Sequence, residues 1–186
     1  LLMRLVTGFS LFATFDTVPL WLISSLDMGG LDFSEVEVGL FLARSSVWSI
    51  AWLSLIMPRL TRRLGLKKFS CLSCFLASVG FAALPWCGNK VTANIAAMIA
   101  LSNSQTLSAM TLSLFNNGVA EEDRAAAAGI STTADTLGKV FGPVGAANFF
   151  AWSLVHFGRQ GRLLIFNGLC LVQLSMLAAF ACLPAT

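Results

Sequence analysis

Apolar positions run in stretches of roughly twenty along this 186-residue chain, separated by short polar clusters. About 20 apolar residues in a helix cross the ~30 Å hydrocarbon core of a bilayer. Six stretches reach that scale, near 4–26, 35–57, 68–86, 92–115, 126–153 and 163–183, and they predict an all-α membrane protein of six transmembrane helices. The connections are short, so neighbouring helices should pack antiparallel. Within the fifth stretch, a rotation of 100° per residue gathers Thr132, Asp135, Lys139, Gly142 and Ala146 on one face. Ile130, Leu137, Phe141 and Val144 fall on the other, so one side suits a packed or wet interior and the other suits lipid.

Composition agrees with the pattern. The chain is 56% hydrophobic and only 11% charged, with a mean hydropathy of +0.79, far from the quarter-charged composition of soluble domains. No basic patch is interleaved with stacking aromatics, so nucleic acid is not an expected partner. The chain starts at Leu1 without an initiator Met and without the layout of a cleavable signal peptide, and reads as a piece of a longer chain. Its five cysteines are odd in number and lie mostly inside apolar runs, which implies no disulfide framework. Cys71 and Cys74 have metal-like spacing but no nearby His, Asp or Glu, and read as core packing. His156 is the single histidine, so neither a metal site nor a cofactor is expected.

The charges also give an orientation. Arg59, Arg62, Arg63, Lys67 and Lys68 lie between the second and third stretches, and Arg4 and Arg124 fall on the same side. The opposite side has Lys90, Arg159 and Arg162 beside Asp27, Asp32, Glu35 and Glu37. The excess of basic residues marks the cytoplasmic side, which places both termini there. Trp21, Trp86 and Trp152 fall near the outer ends of their stretches, where an indole ring suits the headgroup level or ordinary packing.

Four ionisable residues lie deep inside the stretches. Asp16 is roughly 18 Å beyond Arg4, Asp135 and Lys139 roughly 16 and 22 Å beyond Arg124, and Arg44 roughly 13 Å inward from Glu35. Each costs at least ~2.5 kcal/mol at the bilayer centre if it faces lipid, so these groups should face the bundle, each other or water. One reading pairs Asp135 with Lys139, four apart on one helix, and Asp16 with Arg44, as structural glue. The other makes them a site that binds solute and exchanges protons, with Asp16 and Asp135 as the carboxylates, Lys139 as a switching cation and Arg44 as an anchor. Asn103 and Gln105, in the polar fourth stretch, are candidate hydrogen-bond partners for solute. The expected lining is the first, second, fourth and fifth stretches. Gly138, Gly142 and Gly145 would allow a close helix neighbour, and Pro143 should bend the fifth helix. An intramembrane enzyme would need a nucleophile with a base in reach; Ser131 and His156 are roughly 38 Å apart along one helix, so no enzyme is expected.

The loop Pro58 to Lys68 resembles the cytoplasmic loop motif of the major facilitator superfamily, with Arg63, Gly65 and Lys67 on matching positions. Arg62 stands where an aspartate is usual, and Pro58 where glycine is common. Arg124 and Gly129 resemble the loop before that family's eleventh helix. The stretches 29–46 and 125–152 are similar to the zinc-induced-facilitator-like branch, related to tetracycline-type exporters, whose lysine before Gly-Pro matches Lys139. The resemblance implies the C-terminal half of such a transporter, helices seven to twelve, built as two inverted three-helix repeats. It further implies proton-coupled export of a small organic solute by alternating access, with lipid and an N-terminal six-helix half as partners. The alternative is a non-transporting six-helix scaffold or a half-size homodimer.

Overall fold

The computed structural model describes residues 1–182; position 183, the end of the sixth expected stretch, lies outside them. Six long helices account for nearly all of the described residues, and these contain no strand. We number them α1 (Leu2–Ile23), α2 (Glu35–Leu64), α3 (Leu66–Ala83), α4 (Lys90–Asn117), α5 (Arg124–Phe157) and α6 (Gly161–Cys182). Four helical runs are long and apolar enough to cross a membrane: α1, α2, Leu66–Trp86, and Glu121–Cys182, which holds both α5 and α6. The 28-residue α4 is more polar because Ser102 to Thr106 contribute an unbroken run of hydroxyl and amide side chains.

Local chemistry sets the breaks. Ser34 and Glu37 form a reciprocal capping box at the start of α2, satisfying backbone donors that have no intrahelical partner. Asn89 caps α4 by accepting from the Thr92 amide at 2.8 Å. Pro58 has no N–H, and its ring crowds the carbonyl one turn back; α2 widens into a π-turn over Trp52–Ile56 just before it. Gly65, at φ +79°, separates α2 from α3 in a conformation that a side chain would disfavour. Pro143 lies inside α5, which continues as helix through it to Phe157.

The most extensive packing joins α1 to α5, while α3 lies against both α4 and α6, and α4 reaches α1 and α2. The α1 and α5 backbones touch because glycines meet across the seam. A Cβ on Gly8 would stand 2.5 Å from the Asp135 carbonyl oxygen, and one on Gly142 2.6 Å from that of Phe9. A Cβ on Gly138 would collide with the Leu5 carbonyl and stand 2.7 Å from the Phe9 nitrogen. Small residues play this part where lipid supplies no hydrophobic drive between helices.

One open alternative is decided and one expectation needs correction. Trp21 takes the packed alternative: it is wholly buried, its indole donates to the Gly29 carbonyl at 3.0 Å, and it packs edge-on against Phe166. Trp86 and Trp152 are exposed. Thr132 is also exposed, with its hydroxyl donated to the Ala128 carbonyl at 2.8 Å. The buried line of α5 is Ser131, Asp135, Gly138, Gly142, Ala146, Phe150 and Ser153. The glycine seam centres that face on Asp135 and turns Lys139 and Thr132, about 40° and 60° further round, to its edge. Ile130, Leu137, Phe141 and Val144 present an exposed apolar face.

The seam makes a prediction. Gly138→Ala should destabilise the full-length protein by about 1–3 kcal/mol, whereas Gly145→Ala, whose Cβ would rest 3.6 Å from a Phe9 ring carbon in ordinary contact, should be tolerated. Thermal unfolding of the two variants in detergent measures the difference, and equal melting temperatures would contradict a backbone-contact seam.

Candidate functional site

The glycine seam positions the charged site. Gly8 lets α1 come so close to α5 that Asp135 is covered, leaving the residue 4% exposed. A buried carboxylate needs counter-charge and hydrogen bonds, and two cations supply them on the same oxygen. Lys139, one turn along α5, places Nζ 2.7 Å from Asp135 Oδ2. Arg4, in the first turn of α1, places Nη2 3.3 Å from that oxygen.

The two cations are held differently. Arg4 is 6% exposed, and its Nη1 donates to the Ser108 carbonyl of α4 at 2.8 Å, so one guanidinium joins α1, α4 and α5. The Lys139 side chain is 36% exposed, at the edge of the buried face, with its ammonium 5.5 Å from the Phe12 ring centre. Asp135 Oδ1 and Arg4 Nε are buried and have no hydrogen-bond partner among the described residues. With Asp135 ionised, the cluster has two positive charges and one negative.

Sequence reasoning counted Arg4 among the basic residues of the cytoplasmic side and did not assign it to the site. The structure turns its side chain inward. The available signal was its position in an apolar helix, one turn before Gly8, but the partner lies on a helix distant in sequence.

The other deep charges do not join this cluster. Asp16 is exposed, one turn beyond Phe12 on α1, and makes no hydrogen bond or ion pair among the described residues. Arg44 is likewise exposed and unpaired there, so the considered pair of Asp16 with Arg44 does not form. The seam sets Gly8 beside Asp135, so Asp16, eight residues further on, stands roughly 12 Å along α1 from the cluster. Arg44 instead borders two recesses. One, of about 220 Å³, is lined by Phe33, Glu37, Phe41, Arg44, Lys90 and Asn94; the other, of about 470 Å³, by Arg44, Val47, Trp48, Ala51 and Met98. At the mouth of the first, Lys90 pairs with Glu37 and sits 4.8 Å over the Phe33 ring, linking the starts of α2 and α4.

The polar run of α4 faces the interior in part. Asn103 is buried, donates to the Ile99 carbonyl at 2.8 Å, and leaves its own carbonyl oxygen without a partner among the described residues. Gln105 is half-buried. The Trp52 indole, at the start of the π-turn, donates to the Thr106 hydroxyl at 2.9 Å. At the opposite end of α2 from Arg44, Arg62 and Arg63 are exposed just before Gly65, followed by Lys67, and Arg124 lines a recess with Asn116 and Asn117. Among the described residues, no group of three or more His, Cys, Asp or Glu is placed to hold a metal ion.

The fold and its apolar helices define the class, an all-α, multi-pass integral membrane protein. The chain is 32% identical over 144 residues to a probable peptide/nitrate transporter of Arabidopsis thaliana, a match covering 74% of this chain and 30% of the relative. It is 31% identical over 146 residues to the Arabidopsis thaliana protein Zinc Induced Facilitator 1, again covering 74% of this chain and 30% of the relative. These similarities support the resemblance to the major facilitator superfamily and its zinc-induced-facilitator-like branch. The chain spans 30% of the length of these curated relatives. No protein-family profile and no solved structure matches the chain.

Removing Asp135 strands a buried guanidinium, whereas removing Asp16 strands nothing. Asp135→Ala should therefore destabilise the protein by about 3 kcal/mol or more, and Asp16→Asn should change stability by less than about 0.5 kcal/mol. Denaturation of the two variants in detergent reads the contrast; a large loss from Asp16→Asn would show that it has a buried partner.

Proposed function

We propose that the chain is the C-terminal half of an alternating-access secondary transporter that exports a small organic solute in exchange for protons. The observation that carries this reading is the buried Asp135 carboxylate held by a half-exposed ammonium on its own helix. A pair serving only to neutralise a buried carboxylate gains most when both partners are enclosed. Here only the carboxylate and Arg4 are enclosed, and Lys139 stands at the edge of the packed face, where a change in its surroundings can draw it away. Such a pair converts protonation or solute binding into a change of local charge, the differential interaction that biases one conformation over another.

In this reading, all six helices cross the bilayer with both termini in the cytoplasm, near the spans 4–26, 35–57, 68–86, 92–115, 126–153 and 163–183. Its two three-helix units are inverted repeats, with the site at their shared midplane. Asp135 and Asp16 are the proton-exchanging carboxylates, and Lys139 moves along the α1 face from Asp135 past Phe12 toward Asp16. The Arg44 recess supplies an anion anchor, and Asn103 and Gln105 supply hydrogen bonds to solute. Gly138, Gly142 and Pro143 shape the α1–α5 contact. Arg62, Arg63, Gly65, Lys67 and Arg124 form the cytoplasmic loop surface that pairs with lipid headgroups or the N-terminal half.

The test is pH-gradient-driven uptake by the full-length protein in proteoliposomes, using nitrate, a dipeptide and a panel of small organic ions. At equal reconstituted amounts, Lys139→Ala and Asp135→Asn should each reduce gradient-driven flux at least about tenfold, or ~1.4 kcal/mol. Unchanged flux in both variants would make the pair structural glue and remove the proposed coupling.

A further inference from the structure

We propose that Arg4 is a positioning residue, the fixed counter-ion that keeps Asp135 charge-balanced when Lys139 departs. The proposal rests on the reading of Lys139 as a switching cation and adds the residue that makes its departure feasible.

A carboxylate as enclosed as Asp135 cannot lose its only counter-charge without a large penalty. If Lys139 were that only partner, its release would leave an unpaired buried anion and the pair would stay locked. Arg4 removes the obstacle, because its guanidinium, a second cation, is on the same Oδ2. Its second contact, to the Ser108 carbonyl on α4, fixes it independently of Asp135. Among the described residues Lys139 has no comparable second anchor beyond the Phe12 ring. The arrangement thus divides the two cations by role: Arg4 is enclosed and tied to two other helices, while Lys139 is half-exposed and surplus to charge balance. Among the described residues the charged groups of the cluster are Asp135, Lys139 and Arg4, and Asp16 lies one turn past Phe12 on α1.

A residue that only fills space would behave differently on removal. Loss of packing at the seam should loosen Lys139, whereas loss of the fixed counter-ion should tighten it, because Asp135 then depends on Lys139 alone. The two cases differ in sign.

The experiment is acylation of Lys139 in the full-length protein in proteoliposomes by sulfosuccinimidyl acetate, followed by mass spectrometry of the Lys139 peptide. Arg4→Gln should slow acylation about tenfold, the scale of one strengthened charge-assisted bond. Arg4→Lys, which keeps the charge, should restore the wild-type rate, and Asp135→Asn should raise it. Acylation in Arg4→Gln that is unchanged or faster would overturn the proposal. If Arg4→Gln does not fold, the charge-matched Arg4→Gln/Asp135→Asn variant should be recovered and react faster than wild type; its failure to fold would also overturn it. Slowed acylation in Arg4→Gln combined with normal gradient-driven flux in Lys139→Ala supports the counter-ion role and removes the coupling role. Lost flux in Lys139→Ala with unslowed acylation in Arg4→Gln does the reverse.

Discussion

Backbone contact between α1 and α5 is the constraint on which the charged site depends. Gly8, Gly138 and Gly142 let the two helices meet without side chains between them, and at that separation Asp135 is buried. Burial makes the carboxylate demand compensation, and the demand is met by the two cations that can reach it. Arg4 comes from α1 and Lys139 from α5 itself. With larger residues at the seam, the carboxylate would be wetter and the second cation less necessary, so packing and electrostatics form one problem here.

The same contact organises the rest of the bundle. Because Arg4 also bonds the Ser108 carbonyl, α4 is tied to the α1–α5 pair. The long polar run of α4 is then turned partly inward, where Thr106 receives the Trp52 indole of α2 beside its π-turn. A π-turn costs regular hydrogen bonding, and here it falls where Pro58 has already removed a donor. On the outside, Ile130, Leu137, Phe141 and Val144 of α5 are exposed and apolar. Such a surface suits lipid or another apolar partner, since there is no favourable way to leave it in water.

The helical class was legible because it depends on local information. Runs of about twenty apolar residues, the Ser34–Glu37 capping box and the glycine at position 65 act within a few residues of themselves. The contact of Asp135 with Lys139 was legible for the same reason, being one helical turn long. Angle was less legible. A rotation of 100° per residue put Thr132 with Asp135, but a face has edges, and the structure shows which residues occupy them. Depth was misjudged as well: rise per residue put Asp16 and Arg44 level with the cluster, but the seam sets Gly8 beside Asp135 and leaves Asp16 roughly 12 Å further along α1.

From the sequence alone follow the all-helical membrane character, the charges carried deep within apolar stretches and the local pair on α5, because helix geometry and hydropathy are short-range properties of the chain. The tertiary structure decided that Arg4 turns inward, that Gly8 belongs to the α1–α5 seam and that Trp21 is core. Each of these depends on a neighbour supplied by a different part of the chain, and the energy of a buried charge is set by that neighbour.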